Sequence, residues 1–161
     1  MAIANLLLVD DEKPFVEAIV RRLTKRDVNV IVAFSGQEAL GRLEEGNNIE
    51  VVVLDVKMPE KDGIETLRLI KNKYPLVEVI MLTGHATIES GIDGMKLGAF
   101  DYLMKPCDIE QLIHKVKKAA ERKRRHEDKI IEAFSKPYRP KYDMDMVISQ
   151  VKEEVAKKLA E

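Results

Sequence analysis

Between residues 1 and 120, five short apolar runs alternate with amphipathic stretches, and few folds accept that order. Residues 3–9 read as a buried strand, and residues 13–25 carry Phe15, Val16, Ile19, Val20 and Leu23 at helical spacing. Residues 28–34 are β-branched and alternating. Ser35 can cap the following helix, with Glu38 completing a capping box. Residues 49–55 are the most apolar strand, 58–63 form a loop of turn residues, and 64–74 form a helix that Pro75 ends. A strand over 77–83, a helix over 86–97 with Gly98 just past its end, a short strand over 100–104 and a helix over 108–120 complete the series. Repeated βα units imply a parallel sheet covered by helices on both faces, a doubly wound (βα)5 architecture.

The composition changes near residue 121. Residues 1–120 hold 16 basic and 19 acidic residues, and residues 121–161 hold 11 and 9. Residues 121–129 contain no apolar side chain, and Pro137 and Pro140 break the chain after them. Residues 144–159 then set Met144, Val147, Ile148, Val151, Val155 and Leu159 on one helical face. The expected organisation is a domain over 1–120 and a helical or linker extension over 121–161. An isolated helix of the tail's length is marginal in water, so its stripe should dock, on its own domain or on a second copy. Docking on a second copy, giving a homodimer through the tail, is slightly favoured, because residues 121–129 can project as an exposed helix.

Several function classes are excluded by simple counts. Of the 161 residues 34% are charged, and the longest apolar runs are of strand length, so no membrane span is expected. The N-terminus lacks a basic region and a cleavage site, which makes the cytoplasm the expected compartment. One cysteine, Cys107, permits neither an internal disulfide nor a cysteine-based zinc site, and it reads as an inert reduced thiol. A net charge of −1 argues against a generic polyanion binder. The basic cluster of Lys115, Lys117, Lys118, Arg122, Lys123, Arg124 and Arg125 has no accompanying recognition fold. It reads as a solvated helix continuation, so nucleic acid is not the expected partner.

Open parallel sheets bind ligands at the carboxyl ends of their strands. The first strand ends in Asp10-Asp11-Glu12, the third in Asp55, the fourth in Thr83-Gly84 and the fifth in Lys105-Pro106. Carboxylates crowded on one rim repel one another, and a hard divalent cation such as Mg²⁺ relieves that repulsion. With a lysine and a hydroxyl beside it, such a rim tolerates a phosphoryl group, and an aspartate can itself be the nucleophile. Nucleotide- and flavin-binding folds instead need a phosphate cradle after the first strand, where this chain has three acids.

Five separated motifs now converge. They are Leu6-Leu7-Leu8-Val9-Asp10-Asp11-Glu12, Val53-Leu54-Asp55-Val56-Lys57-Met58-Pro59, Asp62-Gly63, Met81-Leu82-Thr83-Gly84-His85 and Gly98-Ala99-Phe100-Asp101-Tyr102-Leu103-Met104-Lys105-Pro106. In this order they resemble the receiver (CheY-like) domain of bacterial two-component response regulators. The resemblance implies a flavodoxin-like sheet of order 2-1-3-4-5. It implies Asp55 as the phosphoacceptor, supplied by a histidine kinase or phosphotransfer protein. It also implies Mg²⁺ held by Asp10, Asp11, Asp55 and the backbone carbonyl of Lys57. Thr83 and Lys105 would contact the phosphoryl group, and Tyr102 would turn inward when Thr83 moves. The Lys105–Pro106 peptide would be cis. Lys57 and His85 occupy the positions that tune phosphoryl lifetime, and Lys57 is neither the amide nor the acid that accompanies fast hydrolysis. The implied function is a switch that controls a downstream protein, catalysing only its own phosphorylation and dephosphorylation.

Two other readings stand beside it. One is a Mg²⁺-dependent phosphatase using the same rim, although Asp55 is followed by Val56 and Lys57 and not by the Asp-x-Asp-x-Thr arrangement of such enzymes. The other is a scaffold that binds partners without being phosphorylated.

Overall fold

The structure, a computed structural model, describes residues 2–57, 63–84, 88–135 and 144–160, with the backbone alone at 88–90 and 144. Among these residues the chain forms β1 (Ala4–Val9), α1 (Lys13–Thr24), β2 (Val28–Ala33), α2 (Gly36–Glu44), β3 (Val51–Asp55), α3 (Gly63–Lys73), β4 (Glu78–Thr83), α4 (Ile88–Lys96), β5 (Asp101–Met104), α5 (Ile109–Ser135) and α6 (Met144–Ala160). The strands form one parallel sheet in the order β2-β1-β3-β4-β5. This is the flavodoxin-like order that the motifs imply.

Successive side chains of a strand point to opposite faces, so each central strand feeds two cores. On one face Leu6, Leu8, Val51, Val53, Ile80 and Leu82 pack with Val16, Ile19 and Leu23 of α1 and with Leu112, Val116 and Ala119 of α5. On the other, Leu7, Val9, Val52, Leu54, Val79 and Met81 pack with Ala39 and Leu43 of α2 and with Leu67 and Ile70 of α3. Every residue of β3 and β4 is buried, as helices on both faces require. The capping box at α2 forms with a shift: Glu38 N–H donates to Ser35 Oγ at 3.0 Å, while the Glu38 carboxylate accepts from Phe34 N–H at 3.1 Å. Gly98, at φ +98°, closes α4 by donating its N–H to Met95 O at 3.1 Å.

The fifth helix is longer than its apolar stripe predicts. It continues through the all-polar residues 121–129 to Ser135. That stretch consists mostly of Glu, Lys and Arg, which are good helix formers, and nothing breaks the backbone before Pro137. Its first turns are anchored. Lys123 is buried and pairs with Glu127, Arg122 Nη1 lies 3.9 Å from the buried Glu78, and Arg124 clasps the buried Glu50. The chain accordingly divides into two compact units, the first ending at Asp128 and the second beginning at Lys129, with α5 running through the division. In the second unit Ile130, Ile131, Phe134, Ile148, Val151, Val155 and Leu159 are exposed. Among the described residues no helix is long and apolar enough to cross a membrane.

Candidate functional site

A parallel sheet delivers the carboxyl ends of all its strands to one edge. Asp10 directly follows β1, and its N–H extends the ladder to Ala33 O at 3.1 Å. Asp55 is the last residue of β3 and Thr83 the last of β4. Lys105 follows β5, with its N–H on Thr83 O at 2.8 Å, and the Lys105–Pro106 peptide is cis. All the site residues implied by the motifs therefore lie in β-strands or within two residues of a strand end.

Asp10 and Asp55 are 0% and 3% exposed, while Asp11 and Glu12 face solvent. Each buried carboxylate has one oxygen pinned by the backbone two residues on. Glu12 N–H donates to Asp10 Oδ1 at 2.9 Å, and Lys57 N–H donates to Asp55 Oδ1 at 3.1 Å. The other oxygens face Lys105, whose Nζ is 2.6 Å from Asp10 Oδ2, 3.5 Å from Asp55 Oδ2 and 3.6 Å from Glu12 Oε1. The Lys105–Asp10 contact is a close ion pair without the alignment of a good hydrogen bond. Gly63 closes the chain behind Asp55. A Cβ there would lie 2.5 Å from Asp55 O and 2.6 Å from Val56 Cα, so a side chain would displace the segment that carries Asp55.

Burial pushes the Asp55 carboxyl up to about 6, with Asp10 and Asp11 adding to the rise and the Lys57 N–H and Lys105 opposing it. Burial also acts against the charge on Lys105, but Asp10, Asp55 and Glu12 outweigh it and hold its pKa above the usual lysine value. The pair thus keeps a reliable cation beside an acid that is costly to ionise.

Carboxylate oxygens of Asp10, Asp11, Glu12 and Asp55 all lie within 4.8 Å of one another. Oxygen donors packed this closely suit a hard divalent cation, which would offset both the burial that chiefly raises Asp55 and the smaller repulsion from Asp10 and Asp11. The donor set therefore fits Mg²⁺. Thr83 Oγ1 is buried and has no hydrogen-bond partner among the described residues. A buried hydroxyl without a partner costs free energy, which a ligand oxygen on the rim would recover. Tyr102 is 45% exposed and faces outward in this structure. His85 and the loop residues Met58, Pro59 and Asp62 lie outside the described residues.

Two members of the site carry no distinct signal in the sequence. Glu12 reads there only as part of a strand end, yet it joins the acid cluster. Phe15 reads as one residue of an amphipathic stripe, yet its ring lies under Lys105, 4.4 Å from Nζ to centroid. The basic cluster on α5 is largely consumed internally, because Lys115 pairs with Asp101, Arg122 approaches Glu78, Lys123 pairs with Glu127 and Arg124 pairs with Glu50. Cys107 is half-buried, and burial raises its pKa, so little of it is the reactive thiolate.

Comparison with known proteins agrees with this fold. Residues 6–117 match the family model described as the response regulator receiver domain. An NtrX-like response regulator of Rickettsia bellii is 37% identical over 123 residues, covering 75% of this chain and 26% of that protein. The transcriptional regulatory protein ZraR of Salmonella typhimurium is 35% identical over 115 residues, covering 71% of this chain and 26% of its own length. The chain thus spans about a quarter of the curated relatives it matches. Among solved structures, a receiver domain protein from Clostridium thermocellum superposes with a TM-score of 0.72 at 38% identity, covering 75% of this chain and 97% of that one. The receiver domain of NtrX from Brucella abortus gives 0.68 at 29% identity, covering 72% and 98%.

Proposed function

Because this chain belongs to the response regulator receiver family, a family of signalling switches, we propose that it accepts a phosphoryl group on Asp55 and thereby switches a protein partner. The observation that carries the assignment is the placement of Asp55. It is a buried carboxylate facing Lys105 at 3.5 Å, inside a cluster of acids and beside a hydroxyl with no partner among the described residues. In the reaction an ionised Asp55 oxygen attacks the phosphorus of a phosphohistidine on a histidine kinase or phosphotransfer protein. The P–N bond breaks as the P–O bond forms, and the imidazole leaves and takes up a proton. Lys105 balances charge on the phosphoryl oxygens, and the Thr83 hydroxyl donates to one of them.

Mg²⁺ would be held by Asp10, Asp11 and Asp55 with the backbone carbonyl of Lys57, and it supplies neutralisation of the acid cluster and of phosphoryl charge. Glu12 borders the same cluster. Thr83, drawn toward the phosphoryl group, would vacate space into which Tyr102 turns from its exposed position. The switch catalyses no reaction beyond its own phosphorylation and dephosphorylation. It works in the cytoplasm and transmits its state to a downstream protein.

Residues 1–120 supply this receiver and residues 121–161 a helical extension. The extension self-associates, because Ile131, Phe134, Val151, Val155 and Leu159 are each at least half exposed, and each stabilises a contact by roughly 1.5–3 kcal/mol when fully buried.

The test is incubation of the full chain with acetyl phosphate and Mg²⁺, followed by intact mass. A stable single acyl phosphate, absent from Asp55→Asn, supports the switch. Steady turnover without an adduct means a phosphatase, and no reaction means a scaffold.

A further inference from the structure

We propose that Phe15 is a positioning residue for Lys105: its ring holds the ammonium over the acid rim while that ammonium exchanges Asp10 for a phosphoryl group on Asp55. The proposal rests on the phosphoacceptor reading of Asp55. Phe15 stands in the first turn of α1, five residues after Asp10, and packs against the apolar core between the sheet and α1 and α5. Its ring centroid is 4.4 Å from Lys105 Nζ, within the range where a ring's electron-rich face attracts a cation. Among the described residues, that ammonium also forms ion pairs with Asp10 at 2.6 Å, Asp55 at 3.5 Å and Glu12 at 3.6 Å.

The distances define a mechanical problem. In this structure Lys105 is nearer to Asp10 than to Asp55, so it must turn toward Asp55 to meet a phosphoryl group there. The close ion pair with Asp10 is given up during that turn. Attraction to a ring face changes little as the ammonium slides across it, and it offers no oxygen that would compete with the phosphoryl group. Lysine is a flexible four-carbon stem ending in a strongly hydrated charge, and nothing in its own structure fixes its direction. The core contacts of Phe15 hold the ring still, and the ring in turn restricts the sweep of Lys105. A leucine keeps an apolar contact with the core, at some loss of volume, and leaves the ammonium unguided.

The experiment compares the full-length wild type with Phe15→Leu, Phe15→Tyr, Lys105→Met and the double variant Phe15→Leu/Lys105→Met. The first measurement needs no phosphodonor: the NMR shift of the Lys105 ε-methylene protons, which a ring beneath them moves upfield. Wild type and Phe15→Tyr should show the upfield shift and Phe15→Leu should lose it. The second is the initial rate of acyl phosphate formation from acetyl phosphate with Mg²⁺, followed by intact mass. Phe15→Leu should be about three- to tenfold slower, the range a single cation–ring contact can supply, with Phe15→Tyr close to wild type. In the Lys105→Met background, Phe15→Leu should have no further effect. A wild-type rate in Phe15→Leu, or an equal slowing with and without Lys105, overturns the proposal. If wild type forms no adduct at all, the phosphoacceptor reading itself falls, and the methylene shift still decides whether Phe15 places Lys105.

Discussion

Arg124 grips both carboxylate oxygens of Glu50, 74 residues earlier in the chain, at 2.6 and 2.8 Å. It also donates to Ile3 O at 3.1 Å, while Asn5 N–H donates to the same carboxylate at 3.0 Å. This fork ties α5, beyond its apolar stripe, to the edge of the sheet where β1 and β3 begin. Burial alone would push Glu50 up, but the contacts with Arg124 and the Asn5 N–H outweigh it and lower its pKa. The pair therefore contributes stability above the unfolded-state pKa of Glu50 and loses it as pH falls through the lowered folded value. Arg124→Ala should cost about 1–3 kcal/mol at pH 7, below the range for a fully buried pair because Arg124 is partly exposed, and much less at acid pH. Urea denaturation at the two pH values measures this, and an equal loss at both would show that charge pairing is not the source.

The anchored length of α5 dictates how the tail should be removed. A chain ending at Asp128 keeps Arg124 and loses the exposed apolar residues beyond it. Sedimentation of the full chain should show self-association, and the shortened chain should be monomeric with an unchanged melting midpoint. Equal behaviour of the two would remove the tail from any role in assembly.

For Asp55 the sign of the pH dependence is reversed. Its folded pKa is raised from 3.8 to about 6, so protonation favours the fold, and its stabilising contribution is complete below about pH 4 and lost as pH rises toward 6. In metal-free protein at pH 7, Asp55→Asn should therefore be more stable than wild type by ~1–3 kcal/mol. That gain should vanish near pH 3. Thermal melts with chelator at both pH values measure it, and a destabilised Asp55→Asn at pH 7 would contradict the raised, burial-dominated pKa of Asp55.

Repulsion among the acids also predicts the response to metal. Wild type should melt higher with Mg²⁺, by about 2.7 kcal/mol in stability at a hundred times its dissociation constant. Asp11→Asn should raise the metal-free midpoint and shrink the Mg²⁺ response. Titrating Mg²⁺ into melts of both proteins compares them, and an undiminished response in the variant would take Asp11 out of the ligand set.

Thr83 should separate stability from signalling. Its hydroxyl is buried without a hydrogen-bond partner among the described residues, so Thr83→Val removes a polar group the fold does not satisfy. Stability should change by less than about 1 kcal/mol, in either direction. Phosphorylated Thr83→Val should no longer draw Tyr102 inward, which Tyr102 fluorescence in a background lacking the other tyrosines would report. A loss of several kcal/mol would mean that the hydroxyl is structurally bound after all.

What this chain's sequence determines by itself is whatever depends on period and order. Alternating apolar residues assign Leu6 and Leu8 to one core and Leu7 and Val9 to the other, because side chains along a strand alternate whatever surrounds them. Parallel βα order then sends Asp10, Asp55, Thr83 and Lys105 to one edge without any knowledge of distance. Tertiary structure alone decided which of those groups touch and what they cost. The carboxylate nearest Lys105 is that of Asp10, burial raises Asp55, and the Thr83 hydroxyl stands without a partner among the described residues because of where other elements place their atoms. The same holds for Phe15, which spacing marks as core and packing also sets beneath an ammonium, and for residues 121–129, whose composition alone suggests a projecting helix. Local pattern carries no record of the carboxylate waiting at Glu50, since a contact across 74 residues exists only once the chain has folded back on itself.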